Sequence, residues 1–168
     1  MNEERDCLLA CIPRLRRYAR ALVGDHASAD DLVQDTLERG WRKLSSWRRG
    51  SDMRAWLFDI MHNLHVDQLR RRRVPTDALD EDAPAPAMNM HPGDALLVRD
   101  LESALRMLPA EQREVLLLVA LEEMTYEEVA ATLQLPLGTV MSRLARARQK
   151  LRAHMEGQAP VSQLKVVK

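Results

Sequence analysis

The chain has 168 residues, with 25 basic and 25 acidic side chains and a formal net charge of zero. This length suits one domain or two small ones. No apolar run is long enough to cross a membrane, and the first residues, M-N-E-E-R-D, do not form a signal peptide, so we expect a cytoplasmic protein. The neutral total hides an uneven distribution. Residues 1–74 contain fifteen basic and eleven acidic side chains, whereas residues 75–95 contain five acidic and no basic ones.

Three helices are predicted in the first 44 residues. The first gives way at Pro13, where proline can open a second helix, and that helix ends at Gly24. The third is expected to begin with Ser28 as its N-cap and to continue to Leu44, with a core stripe that includes Trp41.

The third helix has a polar and acidic exposed side. Its members are Asp30, Asp31, Gln34, Asp35 and Glu38. Pairing with the helix dipole accounts for the two aspartates of the first turn, but less well for Asp35 and Glu38. This side therefore favours a protein partner with a basic or polar surface.

A long helix is predicted from Met53 to the arginine run at residues 70–73. Asp59, Asn63 and Asp67 recur every fourth residue and so share one face. Arginines at a helix C-terminus pair well with the helix dipole, but four in succession exceed what that role requires. The run therefore indicates phosphate contacts.

Catalytic or metal chemistry is not predicted. His62 and His65 lie near Asp59, yet no third ligand converges on them and no nucleophile has a paired base, so surface or interface histidines are the simpler interpretation. Cys7 and Cys11 could share a helical face as a metal or redox pair, although two small packed side chains are again simpler. We therefore expect no enzyme activity, no metal and no cofactor.

The composition changes abruptly after Val74. Residues 75–94 are rich in proline, alanine and acidic side chains and have no helical period, which is typical of a flexible linker. Two helical domains are therefore predicted, at residues 1–74 and 95–155, followed by a loose tail at residues 156–168.

The stretch from Thr125 to Arg152 predicts two helices joined by a tight turn. Thr125 and Glu128 have the spacing of a capping box, which begins a short helix. Pro136 and Gly138 break the pattern before a second helix begins. This is the spacing of a helix-turn-helix.

The second helix of this motif has an apolar side and a basic side. The expected inward side consists of Val140, Leu144, Ala147 and Leu151. Basic residues that follow small polar ones suit the major groove, where hydroxyl and guanidinium groups reach base edges and later cations meet phosphates. A solvated basic face on an ordinary helical hairpin is the alternative, which the capping box, turn and basic helix together disfavour. The candidate DNA-binding residues are Thr139, Ser142, Arg143, Arg146, Arg148 and Lys150.

Three parts of the chain, in this order and spacing, resemble conserved regions of the bacterial extracytoplasmic-function (ECF) sigma factors. D-D-L-V-Q-D-T-L-E-R-G-W at residues 30–41 is similar to the helix that docks on the clamp of RNA polymerase. R-G-S-D-M-R-A-W-L-F-D-I-M-H-N-L-H-V-D-Q-L-R-R-R at residues 49–72 is similar to the part that opens and reads the −10 element. L-P-A-E-Q-R-E-V-L-L-L at residues 108–118, with residues 124–148, is similar to region 4 and its −35 reader. The resemblance covers nearly all of residues 8–152 and implies an all-α fold of two small domains.

The resemblance also implies a role for each candidate residue. The expected polymerase contacts are Asp31, Gln34, Asp35 and Glu38. The expected contacts with the −10 element are Arg49, Asn63, Asp67, Arg70, Arg71, Arg72 and Arg73. At the −35 element, the expected contacts are Thr139, Ser142, Arg143 and Arg146, with Arg148 and Lys150 nearer the backbone. Met141 stands where many members have a basic residue, and Ala145 where some have an aromatic one. Either the −35 contacts differ from those of the family, or the −35 affinity depends more on Arg143 and Arg146.

A member of this family would bind core RNA polymerase and promoter DNA, often in a stress response, and would be controlled by an anti-sigma factor. The alternative is a sigma-like decoy that sequesters an anti-sigma factor without binding promoters. Such a decoy would have no use for Asn63 or for the basic helix at residues 139–152. A repressor of one operator is disfavoured because the N-terminal part has a nucleic-acid face of its own.

Overall fold

The protein is all-α, as predicted. The computed structural model describes residues 2–72 and 92–158, and within these ranges it contains eight α-helices, one short 3-10 helix and no β-strand. The N-terminal domain consists of α1 (Asn2–Ala10), α2 (Ile12–Val23), α3 (His26–Arg42), the 3-10 helix (Leu44–Ser46) and α4 (Met53–Arg72). The C-terminal domain consists of α5 (Pro92–Met107), α6 (Ala110–Ala120), α7 (Tyr126–Leu133) and α8 (Leu137–Gln158).

The predicted N-cap of α3 is wrong by three residues. The helix begins at His26, and its N-cap is Asp25, whose carboxylate accepts hydrogen bonds from the backbone N–H of Ser28 at 3.0 Å and from the Ser28 hydroxyl at 2.6 Å. Gly24 ends α2 in the left-handed conformation, with φ at 82°, so the chain turns within one residue. Ser28 therefore lies inside the first turn instead of capping it.

Trp41 does not belong to the core stripe of α3. It is 47% exposed, and the guanidinium of Arg5 lies over its ring at 4.9 Å from the centroid. Gly40 faces the core instead. α4 passes so close to it that a Cβ atom added at Gly40 would lie 2.9 Å from Leu57 Cδ2. A tryptophan could not occupy that space.

The N-terminal core is built around α4. Leu57 and Phe58 are fully buried, and the ring of Tyr18 from α2 packs edge-on against Phe58 with the ring centroids 4.8 Å apart. Leu15 and Leu32 close the same core from α2 and α3. The buried side chains of α4 itself are Met53, Leu57, Phe58, Ile60, Met61 and His65.

The helix-turn-helix forms where the sequence predicts it, with one correction. The capping box is present: Thr125 Oγ1 accepts from the backbone N–H of Glu128 at 3.2 Å, and Glu128 Oε2 accepts from that of Thr125 at 2.8 Å. The turn depends on Gln134, which has φ at 54°, and on the bond from Leu135 N–H to the carbonyl of Ala130 at 2.9 Å. Gly138 does not break the pattern, because α8 already begins at Leu137.

The two domains pack against each other. α2 lies against α6 and α4 against α7, and the buried apolar side chains of both domains form one continuous cluster. α5 begins at Pro92, three residues before the expected start of the second domain, and α8 continues to Gln158, past the expected end at 155. Most of the predicted linker and residues 159–168 of the predicted tail lie outside the described residues.

Candidate nucleic-acid and polymerase interface

The four candidate polymerase contacts lie together on α3. Asp31, Gln34, Asp35 and Glu38 are all exposed, and the opposite side of the helix is buried through Leu32, Val33 and Thr36. Glu38 Oε1 pairs with Arg42 Nη2 at 2.5 Å, within the same helix. The remaining three residues form no ion pair with other described residues. The surface is thus polar and available.

On α4, Asn63 and Asp67 are both exposed. Asn63 Nδ2 donates to the backbone carbonyl of Asp59 at 3.0 Å, which holds the amide against its own helix. Arg70, Arg71 and Arg72 follow as an exposed basic end of the helix, whereas the fourth arginine of the predicted run, Arg73, lies outside the described residues. A polar group for a base edge and cations for phosphates therefore share one helix.

The end of α4 meets the beginning of α3. Ser28 and Asp31 from α3 and Gln68, Arg71 and Arg72 from α4 line a shallow cleft of about 220 Å³. Arg72 Nη2 also donates to Ser28 Oγ at 3.3 Å. A candidate polymerase contact and two candidate DNA contacts therefore lie side by side, although they are separated by about 40 residues in the sequence.

Arg49, the candidate contact in the loop before α4, is tied to α1. Its Nε donates to Glu4 Oε1 at 2.6 Å. Gly50, next to it, has φ at 85°, a backbone conformation that favours glycine. The loop is thereby positioned from the first helix of the chain.

The exposed side of α8 has two kinds of candidate residue. Ser142 Oγ donates to the carbonyl of Thr139 at 3.1 Å, and Arg143, 27% exposed, pairs with Glu111 of α6 at 3.6 Å. The exposed cations that follow form no ion pair with any residue that the structure describes; they are Arg146, Arg148, Lys150 and Arg152. An unpaired basic row on the second helix of the motif suits a phosphate backbone.

Polar contacts between the domains, in three places, were not predicted from the sequence. In the first, His62 Nδ1 of α4 and Glu114 Oε1 of α6 are 2.5 Å apart. Burial lowers the pKa of His62, but the hydrogen bond to Glu114 and its charge outweigh that effect, so the net pKa is raised. His62 is indeed an interface histidine, and it is the residue before Asn63.

The second contact surrounds Glu122, in the loop between α6 and α7. Its side chain is wholly buried, with carboxylate oxygens 3.9 Å from Arg14 Nη1 and 3.7 Å from Arg17 Nη2 of α2. Arg54 of α4 donates to the backbone carbonyl of Glu122 at 2.8 Å. Burial raises the pKa of Glu122, and the three arginines oppose that shift. The loop is held by cations from two helices of the other domain.

The third contact is made by Arg113 of α6. Its Nη1 donates to the carbonyl of Leu22, at the end of α2, at 2.8 Å. Its other donors reach three carbonyls at the end of α5, those of Leu105, Arg106 and Leu108, at 2.7, 3.0 and 2.9 Å. One guanidinium therefore joins the ends of two helices, whose last carbonyls have no partner within the helix.

The described residues contain neither a metal-binding group nor a membrane span. Among them, no set of three or more histidine, cysteine, aspartate or glutamate side chains is placed to hold a metal ion, and Cys7 and Cys11 are free thiols. None of the described helices has the length and apolar character needed to span a bilayer.

Comparison with known proteins gives a consistent result for both domains. Residues 8–62 match the family model described as the Sigma2 domain of PhyR, and residues 99–151 match Sigma-70, region 4. The ECF RNA polymerase sigma factor EcfG of Rhodopseudomonas palustris is 40% identical over 151 residues, which are 89% of this chain and 83% of that protein. The ECF RNA polymerase sigma factor SigE of Mycolicibacterium smegmatis is 40% identical over 148 residues, 84% of this chain and 57% of that protein.

Solved structures show the same arrangement of helices. The sigma factor RpoE of Bartonella quintana, in complex with the anti-sigma factor NepR, superposes with a TM-score of 0.78 at 34% identity, over 94% of this chain and 99% of that one. CnrH in complex with the cytosolic domain of CnrY gives a TM-score of 0.68 at 27% identity, over 93% and 89%.

Proposed function

The chain belongs to the ECF RNA polymerase sigma factors, a family that acts in transcription initiation and is not an enzyme class. From this premise we propose that the protein binds core RNA polymerase, directs it to particular promoters and helps to open the −10 element. We also propose that its region 2 domain comprises residues 1–74 and its region 4 domain residues 95–155, joined by a flexible linker at residues 75–94.

The single observation that supports this proposal is a pair of separate, exposed basic surfaces, one on α4 and one on α8. α4 ends in exposed arginines behind Asn63, and α8 has an unpaired basic row behind its first turns. A protein that read one DNA element would need only one of them, whereas a promoter presents two.

At the −10 element, Asn63 and Asp67 would meet a base pulled out of the stack, with Arg49 shaping the pocket. Reading such a base requires polar groups at its edge, which an exposed amide and a nearby carboxylate supply. Arg70, Arg71, Arg72 and Arg73 would hold the adjoining phosphates.

At the −35 element, α8 would enter the major groove of the duplex. Its candidate contacts are Thr139, Ser142, Arg143, Arg146, Arg148 and Lys150. Arg146 and the cations behind it are free for this role, whereas Arg143 would have to exchange Glu111 for DNA. Most of the −35 affinity would then come from Arg146 and the cations that follow it.

Two protein partners are proposed, one from the exposed side of α3 and one from the solved structures of relatives. The exposed side formed by Asp31, Gln34, Asp35 and Glu38 would dock on the polymerase clamp. RpoE was solved with the anti-sigma factor NepR, and CnrH with the cytosolic domain of CnrY. An anti-sigma factor that binds this chain in the cytoplasm is therefore part of the proposal.

Run-off transcription tests the proposal directly. Core RNA polymerase would be incubated with a pool of promoter fragments from the source genome, with and without the protein. Specific transcripts that require the protein are expected. Binding to core polymerase without any specific transcript would contradict the promoter assignment.

The sigma-like decoy is the second candidate, and one observation favours it. The family model that matches residues 8–62 is named for PhyR, and a solved PhyR is described as an anti-anti-sigma factor in complex with NepR. A decoy would bind an anti-sigma factor and would give no specific transcript with core RNA polymerase. The same run-off reaction therefore separates the two candidates.

A further inference from the structure

The beginning of α8 exposes apolar side chains that the fold does not use. Leu137 is 41% exposed and Met141 is 51% exposed, and within the described part of α8 no other large apolar side chain is exposed to that degree. The helix buries a different set against the core: Val140, Leu144 and Ala147. Since exposing a large apolar side chain has a cost in water, this pair points to a contact outside the chain.

The polar neighbours of this pair are already engaged. Ser142 donates its hydroxyl to the carbonyl of Thr139, and Arg143 extends toward Glu111 of α6. The exposed, unpaired cations of α8 begin later, at Arg146. Beside the hydroxyls of Thr139 and Ser142, the first turns of the helix therefore expose the apolar side chains of Leu137 and Met141.

The surroundings identify that partner as DNA. From Leu137 to Arg152 the helix has no acidic residue, and its exposed cations are unpaired among the described residues. In a helix-turn-helix, residues near the start of the second helix contact base edges. The apolar feature on those edges in the major groove is the C5 methyl group of thymine.

We propose that Met141, with Leu137 one turn before it, is a specificity-determining residue that contacts thymine methyl groups in the −35 element. The inference rests on the proposed function, because it requires α8 to read duplex DNA. The two side chains are about 6 Å apart along the helix axis, which is roughly two base-pair steps. They can therefore meet methyl groups at neighbouring positions of the same element.

Replacing thymine by deoxyuridine tests this contact, because it removes only the methyl group. The −35 element of a promoter found by run-off transcription would be resynthesised with deoxyuridine at each thymine in turn. Holoenzyme containing the full chain is expected to bind about threefold to fivefold more weakly at one or two of these positions, as burial of one methyl group predicts.

Two variants and a matched control complete the design. Met141→Ala should bind the thymine duplex more weakly and lose the discrimination between thymine and deoxyuridine. Met141→Arg should also lose it, even where the added charge strengthens overall binding. Met107→Ala is the control, because Met107 is 68% exposed but lies on α5. This variant should discriminate between thymine and deoxyuridine duplexes as the unmodified protein does.

Salt provides an independent readout. Overall affinity should fall as salt rises, because phosphate contacts release counterions. The ratio of the affinities for the thymine and deoxyuridine duplexes should stay constant, because an apolar contact releases no counterions.

The outcomes separate this inference from the proposed function. Holoenzyme that selects the promoter but is insensitive to every thymine methyl of the −35 element overturns the inference alone. The inference is also overturned if Met141→Ala discriminates as well as the unmodified chain, or if the element contains no thymine on either strand. Holoenzyme that shows no preference for the −35 duplex over a scrambled one overturns the proposed function.

Discussion

The two helices proposed to meet DNA differ in how much of their surface the fold itself uses. α4 buries six side chains, makes the centre of the N-terminal core and also faces α7 of the other domain. α8 buries one narrow stripe and leaves its basic side in solvent. A substitution in α4 is therefore apt to change folding, domain contact and DNA binding together, whereas substitutions on the exposed side of α8 should change DNA binding alone.

The contacts between the domains sharpen this difference. His62, next to Asn63, pairs with Glu114, and Arg54 holds the carbonyl of Glu122. The surroundings of α4 thus depend on the position of the C-terminal domain. The unpaired cations of α8 have no such dependence.

The largest effect is expected for Arg113→Ala. The substitution removes the Arg113 donor from four carbonyls, of which that of Leu105 keeps the backbone N–H of Leu108 at 3.1 Å. An acceptor left unpaired in the interior costs about 1 to 3 kcal/mol. Some of these carbonyls will recover water, so we expect the free energy of unfolding to fall by about 3 to 5 kcal/mol, as measured by urea denaturation. Arg99→Ala, an exposed arginine on α5, is the control. A loss below about 1 kcal/mol would mean that the domain contact on which α4 depends is weak.

A smaller effect is expected for Arg54→Ala, at the contact between α4 and the loop before α7. Hydrogen bonds to charged groups contribute about 1.5 to 3 kcal/mol, and this variant also removes a cation from beside the buried Glu122. Faster hydrogen exchange is expected in residues 121–125 and in α7. Arg48→Ala, an exposed arginine in the loop before α4, should leave that exchange unchanged. Equal exchange in both variants would refute a role for Arg54 in holding the domains together.

Asn63→Ala and Arg146→Ala together test the division of labour between the helices. Asn63→Ala should slow promoter opening about tenfold while binding to the −35 duplex persists, because the proposed role of its amide is to bind a base of the unpaired strand. Arg146→Ala should weaken −35 binding by about 1 to 3 kcal/mol without affecting an opened −10 segment, and Gln149→Ala serves as the control on α8. If each variant lost promoter opening and −35 binding to the same degree, the proposed division of labour between α4 and α8 would be wrong.

The smallest effect is a pH dependence of the domain contact. Because the folded pKa of His62 is raised, its stabilising contribution is present below the ordinary pKa of histidine and is lost as the pH rises through the raised value. Its surroundings contain Asp59, Glu114 and Arg143, and Glu114 makes the main favourable contact. As the pH increases from about 6 to 8, the amide exchange rate in α6 of the unmodified protein should therefore rise relative to the rate in a His62→Asn variant. An identical pH profile in both proteins would exclude His62 as the source.

Local features were predictable from the sequence because their causes are local. The capping box of Thr125 and Glu128 involves residues one helical turn apart, and the inward stripe of Val140, Leu144 and Ala147 follows from helical periodicity alone. The misplaced cap at Ser28 shows the limit of such patterns. Asp25 and Ser28 are both good caps, and the left-handed Gly24 decides between them.

Contacts between distant residues could not be predicted in this way. Nothing in the neighbourhood of Glu122 or Arg113 indicates that α2 and α4 will supply their partners, since those partners lie at least 68 positions away in the sequence. The exposure of Trp41 likewise depends on how closely α4 approaches Gly40.

The sequence by itself determined the helical class, the capping box of α7, the two-domain order and the basic side of α8, because each depends on side chains within one or two turns of one another. The tertiary structure alone decided which charges are shared between the domains and which remain free. The physical reason is that burial and pairing depend on distances between elements. Arg143 and Arg146 look alike in the sequence, yet Arg143 pairs with Glu111 on α6, whereas Arg146 forms no ion pair with the residues that the structure describes.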